Sequence, residues 1–355
     1  MSESPKILDI DSNAKAIKDM LLESLQMQHL IVLAGSGCSI TAGGPTMGDL
    51  WDSIPCSSVI ADMVNHNLEN KNLEEFLSKI EAFLYTREIS EVRKFFNDCK
   101  KVILDKCSNS IANKGLDAHK TFLQRLSRRR IRDQRLRIFT TNYDLCFESA
   151  ASQLGLVVLD GFSFTSPRRY DPRYYNYDII RRSSDRNDLS NYLEGVFLLY
   201  KLHGSVNWER EDFNIIEKKN INPENSCLVY PAKAKYQQSY TQPYLEAMAQ
   251  YLSALREPNT CVVVIGFGFN DDHLSEPLLT AVRSNPNLRL IIVDPEARNK
   301  KSGYWYEFLK FMEHGFDVRI IEAKFENFAT VIPDLKALTP AEALMTAVKG
   351  VTGSV

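Results

Sequence analysis

Short, continuous apolar runs recur along the chain and predict buried strands. The runs cover residues 29–34, 136–139, 156–159, 196–202, 261–265 and 290–294. Each run is far shorter than a membrane-spanning helix, and most are followed by glycine or polar residues. This pattern is typical of parallel strands that are covered on both faces.

Between these runs, apolar residues recur at helical intervals. Segments 14–28, 145–154 and 244–255 follow this spacing, and the region of about 50–130 places Leu73, Phe76 and Ile80 on one face. The alternation of strands and helices predicts an α/β fold, a Rossmann-like parallel sheet flanked by helices. Within it, the region of about 50–130 is predicted to be an inserted helical module.

The same pattern divides the chain into three parts. Residues 1–28 are predicted to form an N-terminal helix and assembly segment, residues 29–330 the main α/β domain, and residues 331–355 a C-terminal helix. The Arg- and Tyr-rich stretch of about 163–191 is too long for an ordinary connection. We interpret it as either a functional loop or a partly disordered segment.

Composition and charge narrow the choice of compartment and partner. The formal net charge of −2 gives no overall attraction to nucleic acid or to an anionic membrane. The first residues lack the features of a secretory signal, and no apolar run is long enough to cross a membrane. The seven cysteines include no Cys-x-x-Cys pair, which suits free thiols in a reducing compartment. We therefore expect a cytoplasmic protein without membrane contact.

Glycine-rich turns follow two of the predicted strands. The first turn has the sequence Gly35-Ser36-Gly37-Cys38-Ser39, and the second is Gly266-Phe267-Gly268. Glycines let the backbone approach a phosphate closely, and a tight turn without a ligand is the alternative. The fingerprint of dinucleotide-dependent dehydrogenases requires a third glycine where this chain has Ile40, so hydride transfer is disfavoured.

Polar side chains stand where two other predicted strands end. Thr141, Asn142 and Asp144 follow the run 136–139, and His203 follows the run 196–202. Because ligands bind at the carboxyl edge of such sheets, we expect Asn142 and His203 to face each other across one cleft. Asp144 can cap a helix or meet a ligand, and His203 can act as a base or be structural.

Acidic residues near the last strands have competing interpretations. Asp294 can accept a hydrogen bond from a ribose hydroxyl or merely begin a turn. Asp271 and Asp272 are expected to cap a helix, because a metal site would need more ligands. No metal site is predicted.

Taken together and in this order, the two glycine turns, the Thr141–Asp144 stretch and Lys201-Leu202-His203-Gly204-Ser205 resemble the motifs of the sirtuin superfamily. The resemblance covers about residues 29–300 and is greatest to bacterial sirtuin-like proteins of anti-phage defence, which hydrolyse NAD+. It implies that residues 29–330 bind NAD+ as a substrate, with Asn142 and His203 as the catalytic pair. The implied NAD+-binding residues are Gly35, Ser36, Gly37, Ser39, Thr141, Asp144, Gly266, Phe267, Gly268 and Asp294.

One departure from the sirtuin pattern bears on the reaction. Sirtuin deacylases normally carry two Cys-x-x-Cys pairs of a zinc module after the catalytic histidine, whereas this chain has only Cys227 and Cys261 there. The resemblance therefore implies no zinc, and it favours cleavage of NAD+ to nicotinamide and ADP-ribose over deacylation of lysine.

The resemblance also implies partners, and other functions stay open. A toxic NADase must be silent at rest, so we expect a homo-oligomer and a separately encoded sensor or ATPase, either a HerA-like ATPase or a short Argonaute. One alternative is a regulatory subunit that binds NAD+ or ADP-ribose without turnover. Another is nucleic-acid binding by the arginines of residues 125–137 and 168–186, which otherwise serve as a solvated helix end, a lid or a subunit contact.

Overall fold

The computed structural model describes residues 7–109, 115–129, 133–182, 192–229 and 242–334. Its strands are β1 (Leu8–Asp9), β2 (His29–Ala34), β3 (Leu136–Thr140), β4 (Val157–Leu159), β5 (Val196–Lys201), β6 (Gly204–Glu211), β7 (Asn214–Glu217), β8 (Ser226–Leu228), β9 (Thr260–Ile265), β10 (Leu288–Val293) and β11 (Val318–Glu322). Its α-helices in the described residues are α1 (Ala14–Ser24), α2 (Met47–Ser53), α3 (Ser58–Met63), α4 (Leu73–Thr86), α5 (Ser90–Asn109), α6 (Asp117–Leu126), α7 (Cys146–Leu154), α8 (Tyr244–Ala254), α9 (Asp272–Ser284), α10 (Tyr304–Glu313) and α11 (Phe325–Val331).

A parallel sheet forms the centre of the molecule. Its eight strands run in the order β1-β11-β10-β9-β2-β3-β5-β4, and every neighbouring pair is parallel. The predicted Rossmann-like architecture is therefore confirmed. After β2 the chain continues to β3 on one side and returns to β9 on the other, so the strand order reverses between β2 and β9. Such a reversal opens a crevice at the carboxyl edge of the sheet.

The apolar runs become strands because both faces of the sheet are covered. Along β2, Leu30 and Val32 pack into the core formed with α1, α6, α7 and α11, while Ile31 and Leu33 pack into the core formed with α8, α9 and α10. A strand with two buried faces needs apolar residues at every position, which explains the absence of alternation in the sequence.

The helical module is a separate layer beside the sheet edge. Helices α2–α5 share their own core, in which Phe76, Leu77 and Ile80 are almost fully buried. Side chains cap three of these helices. Thr46 and Asp49 form a capping box at α2, Ser57 accepts from the backbone N–H of Ile60 at α3, and Asn72 accepts from that of Glu75 at α4. Helix α6 lies within the predicted insertion but packs against the core of the sheet instead.

Several elements were not anticipated from the sequence. Strands β6, β7 and β8 form a small antiparallel sheet in the order β7-β6-β8, and β11 and β1 extend the large sheet at one edge. The Arg- and Tyr-rich stretch contains a 3-10 helix, Pro172–Asn176, and its residues 183–191 lie outside the described part. The predicted helix at 331–355 also lies outside it, apart from residues 331–334.

The apolar face of α1 is part of the core. Ile17 and Leu21 have no exposed surface, so any assembly contact would have to use the opposite face of this helix. Among the described residues, no helix is both long and apolar enough to cross a membrane.

Arginines of the two basic stretches make contacts within the chain. Arg129 donates hydrogen bonds to the carbonyls of Leu25 and Met27 at 2.9 and 2.5 Å. Similarly, Arg168 pairs with Asp160 at 2.7 Å. Further contacts join Arg125 to Thr330 and Arg135 to Asp178. These four arginines therefore have structural roles, and nucleic-acid binding stays a prediction.

Candidate active site

A cleft at the carboxyl edge of the sheet brings together most of the predicted site residues. Asn142 lies just beyond β3 and His203 just beyond β5, and both line this cleft. Of the twelve residues predicted to bind or react, ten line it: Gly35, Ser36, Ser39, Thr141, Asn142, Asp144, His203, Gly266, Phe267 and Gly268.

The amide of Asn142 is held in a fixed orientation. Its Nδ2 donates to the carbonyl oxygen of Gly35 at 3.0 Å and to Oγ of Ser39 at 2.9 Å. The backbone N–H of Asn142 donates to Oγ1 of Thr140 at 3.1 Å. The remaining polar atom, Oδ1, is buried and has no hydrogen-bond partner among the described residues. Leaving a buried acceptor unsatisfied is costly, so this oxygen is available to a ligand hydroxyl.

Asp144 has the role at the start of a helix that the sequence offered, and its contact with a ligand stays a prediction. One carboxylate oxygen accepts from the backbone N–H of Cys146 at 2.9 Å and so caps the start of α7. The other oxygen accepts from Oγ of Ser39 at 2.5 Å. Asp144 thereby ties the end of β3 to the first glycine turn while it lines the cleft.

Lys201 joins the two loops that carry Asn142 and His203. Its side chain is buried, and its ammonium group donates to the backbone carbonyl of Asp144. The ammonium lies 3.0 Å from the carboxylate of Glu148 on α7. Burial raises the pKa of Glu148, and the adjacent Lys201 opposes that rise. This buried pair fixes β5 and α7 relative to each other at the cleft.

Gly204 allows the small sheet to begin immediately after His203. Its φ is +89°, and a Cβ atom there would lie 1.9 Å from the carbonyl oxygen of Cys227. The close approach lets the carbonyl of His203 accept from the backbone N–H of Val229 at 2.9 Å. Only glycine satisfies both the left-handed backbone and the contact.

The imidazole of His203 is oriented by an acidic residue. Nε2 lies 3.0 Å from a carboxylate oxygen of Asp271, whose other oxygen accepts from the backbone N–H of His273. Asp271 thus caps α9 as predicted, and it also contacts His203, which the sequence did not reveal. Burial acts to raise the pKa of Asp271, but the hydrogen bond and charge of His203 hold it below its usual value.

The two glycine turns pack directly against each other. Gly37 donates to the carbonyl of Gly266 at 2.9 Å, and a Cβ atom on Gly37 would lie 2.6 Å from Cα of Gly266. The backbone N–H groups of Gly35, Cys38 and Ser39 also donate to protein carbonyls. The glycines therefore serve first to bring β2 and β9 together, and their predicted contact with phosphates stays a prediction.

Gly37 and Asp294 do not line the cleft. Gly37 lies behind it, against Gly266. Asp294 is buried at the end of β10, where its carboxylate contacts Nζ of Lys300 at 2.6 Å and accepts from the backbone N–H of Glu296 at 2.8 Å. The turn that sequence reasoning offered as the alternative for Asp294 is present.

The helical module supplies the wall of the cleft opposite the sheet edge. Met47 and Leu50 of α2, Glu74 of α4 and Cys107 of α5 all line it. Burial raises the pKa of Glu74 to about 7, an effect that His203 reduces and Asp271 increases. Nothing in the sequence pattern singles out Glu74, because a glutamate in the first turn of a helix is an ordinary feature.

The cleft is acidic, apart from the imidazole. Its lining includes the carboxylates of Glu74, Asp144 and Asp271, and no lysine or arginine is among the lining residues that the structure describes. Within the same described ranges, no group of three or more His, Cys, Asp or Glu side chains is arranged to hold a metal ion. The lining therefore favours a positively charged group over an exposed phosphate.

Sirtuins are among the solved structures with a similar course of the chain. A triple mutant of a Sir2 homologue bound to 2′-O-acetyl ADP-ribose is 14% identical, with a TM-score of 0.45, and the match covers 91% of this chain and 98% of that one. A Sir2 homologue in complex with NAD is 14% identical, with coverage of 89% and 92% and a TM-score of 0.42. A structure on sirtuin substrate affinity is 13% identical, with coverage of 90% and 97% and a TM-score of 0.46.

Sequence comparisons give a narrower match. No curated protein matches the chain. A family model described as SIR2-like domain matches residues 136–309, and this stretch includes Asn142, Asp144, His203 and Asp271. Over these residues the chain is therefore similar to the SIR2-like domain family.

Proposed function

We propose that this protein cleaves the nicotinamide–ribose bond of NAD+ and releases nicotinamide and ADP-ribose. The observation that carries the proposal is the position of Asn142 and His203 in one cleft at the point where the strand order of the sheet reverses. The match of residues 136–309 to the SIR2-like domain family supports it, because the sirtuin resemblance implies these two residues as the catalytic pair.

The polar groups of the cleft have suitable chemistry for this reaction. Nicotinamide leaves as a neutral ring, so the ribose carbon becomes oxocarbenium-like and needs no acid on the leaving group. The free Oδ1 of Asn142 can accept from a ribose hydroxyl or from the attacking water and so position it. His203, with Nε2 engaged by Asp271, can accept a proton on its other ring nitrogen.

The charge of the cleft also fits the nicotinamide end of NAD+. The pyridinium ring is cationic before cleavage, and the ribose becomes cationic in the transition state. Carboxylates of Asp144, Glu74 and Asp271 around the cleft stabilise both charges electrostatically. The pyrophosphate would then lie toward Ser36 and Gly268, the exposed residues of the two glycine turns.

The test follows NAD+ and its products in the presence of the purified full chain. We expect the wild type to release nicotinamide, and Asn142→Ala and His203→Ala each to lower the rate by at least about 100-fold. His314→Ala is the matched control, because His314 is exposed immediately after α10 and its ring bonds to the Lys310 carbonyl, outside the cleft. Thermal unfolding of each variant shows whether the fold is retained.

Each outcome separates the proposed reaction from its alternatives. Wild-type turnover by both Asn142→Ala and His203→Ala would refute the assignment. Binding of NAD+ without any turnover, by the chain alone and with each candidate partner, would favour a regulatory subunit. Nicotinamide release that requires an acetyl-lysine peptide would favour deacylation, the less favoured alternative.

The wider role that we propose comes from the resemblance to defence proteins. The enzyme would act in the cytoplasm and deplete NAD+ during anti-phage defence. It would work as a homo-oligomer controlled by a separately encoded HerA-like ATPase or short Argonaute. Light scattering of the purified chain, alone and mixed with each candidate partner, tests assembly.

A further inference from the structure

One carboxylate in the cleft belongs to neither the sheet nor the sirtuin-like motifs. Glu74 lies in the first turn of α4, and its half-buried side chain lines the cleft together with Asn142 and His203. No hydrogen bond or ion pair joins its carboxylate to another described residue. Its oxygens are therefore free to contact a ligand.

The structure of the helical module does not require a carboxylate at this position. Asn72 caps α4, and the adjacent Glu75 makes the local contacts, with Nζ of Lys79 at 2.8 Å and Nδ2 of Asn70 at 3.0 Å. Removing a carboxylate from water without a partner costs free energy, and an apolar residue would avoid that cost. Such unpaired, partly buried carboxyl groups in clefts are characteristic of functional sites.

Two carboxyl groups near the same imidazole have pKa values that are shifted in opposite directions. Asp271 bonds to Nε2 of His203, and this contact keeps the pKa of Asp271 low. Glu74 interacts with both groups through charge alone, and burial raises its pKa to about 7. Paired groups with divergent pKa values identify the acid and the base of many active sites.

We propose that Glu74 is a third catalytic residue, the general base for the water that attacks the ribose, supplied to the site by the helical module. This inference rests on the proposed cleavage of NAD+. It assigns water activation to Glu74 and leaves His203, oriented by Asp271, to contact the ribose hydroxyls.

The step is balanced as follows. The oxygen of water forms a bond to C1′ of the ribose, and one water proton passes to the carboxylate of Glu74. The bond from C1′ to the nicotinamide nitrogen breaks, and its electron pair stays on that nitrogen, which becomes neutral. Glu74 then releases its proton to solvent, and the products are nicotinamide and ADP-ribose.

Other titratable groups lie around Glu74 and shape its pH dependence. Burial raises the pKa of the Cys107 thiol to about 12, so it is neutral near pH 7. On α2, which packs against α4, Asp49 accepts from Thr46 and Asp52 pairs with Lys71. The groups that share the cleft with Glu74 are His203, Asp271, Asp144, Tyr143 and Cys107.

The decisive experiment compares two neighbouring glutamates. Glu74→Gln and Glu75→Gln each remove one carboxylate from the same turn of α4, but only Glu74 lines the cleft. Turnover of NAD+ is measured from pH 5 to 9 for both variants, for the wild type and for Asn142→Ala. We expect Glu74→Gln to lower kcat by at least about 100-fold and to remove the fall in rate below about pH 7. Glu75→Gln should keep the wild-type kcat and the wild-type fall in rate.

A second variant tests the proton transfer itself. Glu74→Ala leaves space beside the cleft, and added formate is expected to restore part of its activity by acting as a diffusible base. Activity of Glu74→Gln within about threefold of the wild type, with an unchanged pH profile, would overturn the proposal. The proposal would also be overturned if formate did not restore the activity of Glu74→Ala and the pH profile of Glu74→Gln matched that of the wild type.

A binding measurement separates this inference from the proposed function. If the wild type does not turn over NAD+ either alone or with each candidate partner, cleavage is refuted. The contact made by Glu74 is then tested with a carbocyclic NAD+ analogue that cannot be cleaved. We expect Glu74→Gln to lower the affinity for this analogue relative to ADP-ribose by about tenfold, because the cationic ring loses its nearby carboxylate. An unchanged ratio would show that Glu74 does not contact the ligand.

Discussion

The two walls of the cleft are built in different ways. At the sheet edge, Asn142, Asp144 and His203 are less than a tenth exposed, and hydrogen bonds to neighbouring elements hold each of them. On the module side, Met47 and Leu50 offer apolar surface, and Glu74 has a carboxylate without a hydrogen-bond partner among the described residues. The polar groups of the sheet edge are therefore held in place before a ligand arrives, whereas the carboxylate of the module side is free to bind one.

This difference shows which interactions maintain the site and which respond to a ligand. Fixed donors and acceptors cost no reorganisation during reaction, so they suit positioning and charge stabilisation. A carboxyl group with a pKa near neutrality can gain and lose a proton, which suits a base. Variants of the two walls should therefore differ in the sign and the size of their effects on stability.

The largest effect is expected at the buried lysine of the sheet edge. Lys201→Met removes the partner of Glu148 and one donor to the Asp144 carbonyl, so we expect the free energy of unfolding to fall by about 4 kcal/mol. Adding Glu148→Leu should recover part of this loss, because an apolar pair needs no charge compensation. Urea denaturation measures both variants, and a loss below about 1 kcal/mol for Lys201→Met would show that the pair does not hold this edge.

Next in size is the contact between the two glycine turns. Gly37→Ala places a Cβ atom 2.6 Å from Cα of Gly266, and we expect it to lower the free energy of unfolding by about 3 kcal/mol. Gly48→Ala on α2 is the control, since its Cβ would meet Thr46 only at 3.7 Å. That change should stabilise the protein by about 0.5 kcal/mol, because alanine favours helix. Equal effects of the two changes would contradict the proposed difference between the walls.

Glu74→Gln should affect stability in the opposite direction. The carboxyl of Glu74 has a pKa of about 7 in the folded protein and about 4.5 when unfolded, so the folded state binds more protons between these values. Wild-type stability should therefore fall as the pH rises from 5 to 8. Glu74→Gln removes this loss and should be more stable than the wild type at pH 8 by about 2 kcal/mol, allowing for partial solvent exposure.

Thermal unfolding of wild type and Glu74→Gln at pH 5 and pH 8 checks this prediction. The two proteins should unfold at similar temperatures at pH 5, where Glu74 is neutral in the folded state. A variant that is less stable than the wild type at both pH values would indicate that the carboxylate has a structural role.

The smallest effect is expected on the outer face of the same helix. Lys79→Ala breaks a half-exposed pair with Glu75 at 2.8 Å, one turn along α4. Water screens such pairs, so we expect a loss of about 0.5 kcal/mol in the free energy of unfolding and no change in NAD+ turnover. Urea denaturation and the turnover assay test this, and a loss above about 2 kcal/mol would mean that the module depends on its surface charges.

Most of the central fold was predictable from the sequence, because a strand buried on both faces requires a continuous apolar run. The run 29–34 is continuously apolar and forms β2 over the same residues. The apolar pattern of β11 is weaker, since Arg319 and Glu322 interrupt its apolar residues near the edge of the sheet. Predicting the small antiparallel sheet was harder still, because it depends on the close approach of Gly204 to Cys227, which are far apart in the sequence.

What the sequence determined by itself is the architecture and the strand ends that carry Asn142 and His203, because the carboxyl ends of parallel strands must meet at one edge. Only the tertiary structure decided that Gly37 contacts Gly266 and that Glu74 reaches the cleft. The physical reason is that these contacts join elements distant along the chain, and local patterns of apolar and polar residues carry no information on which distant side chain faces which.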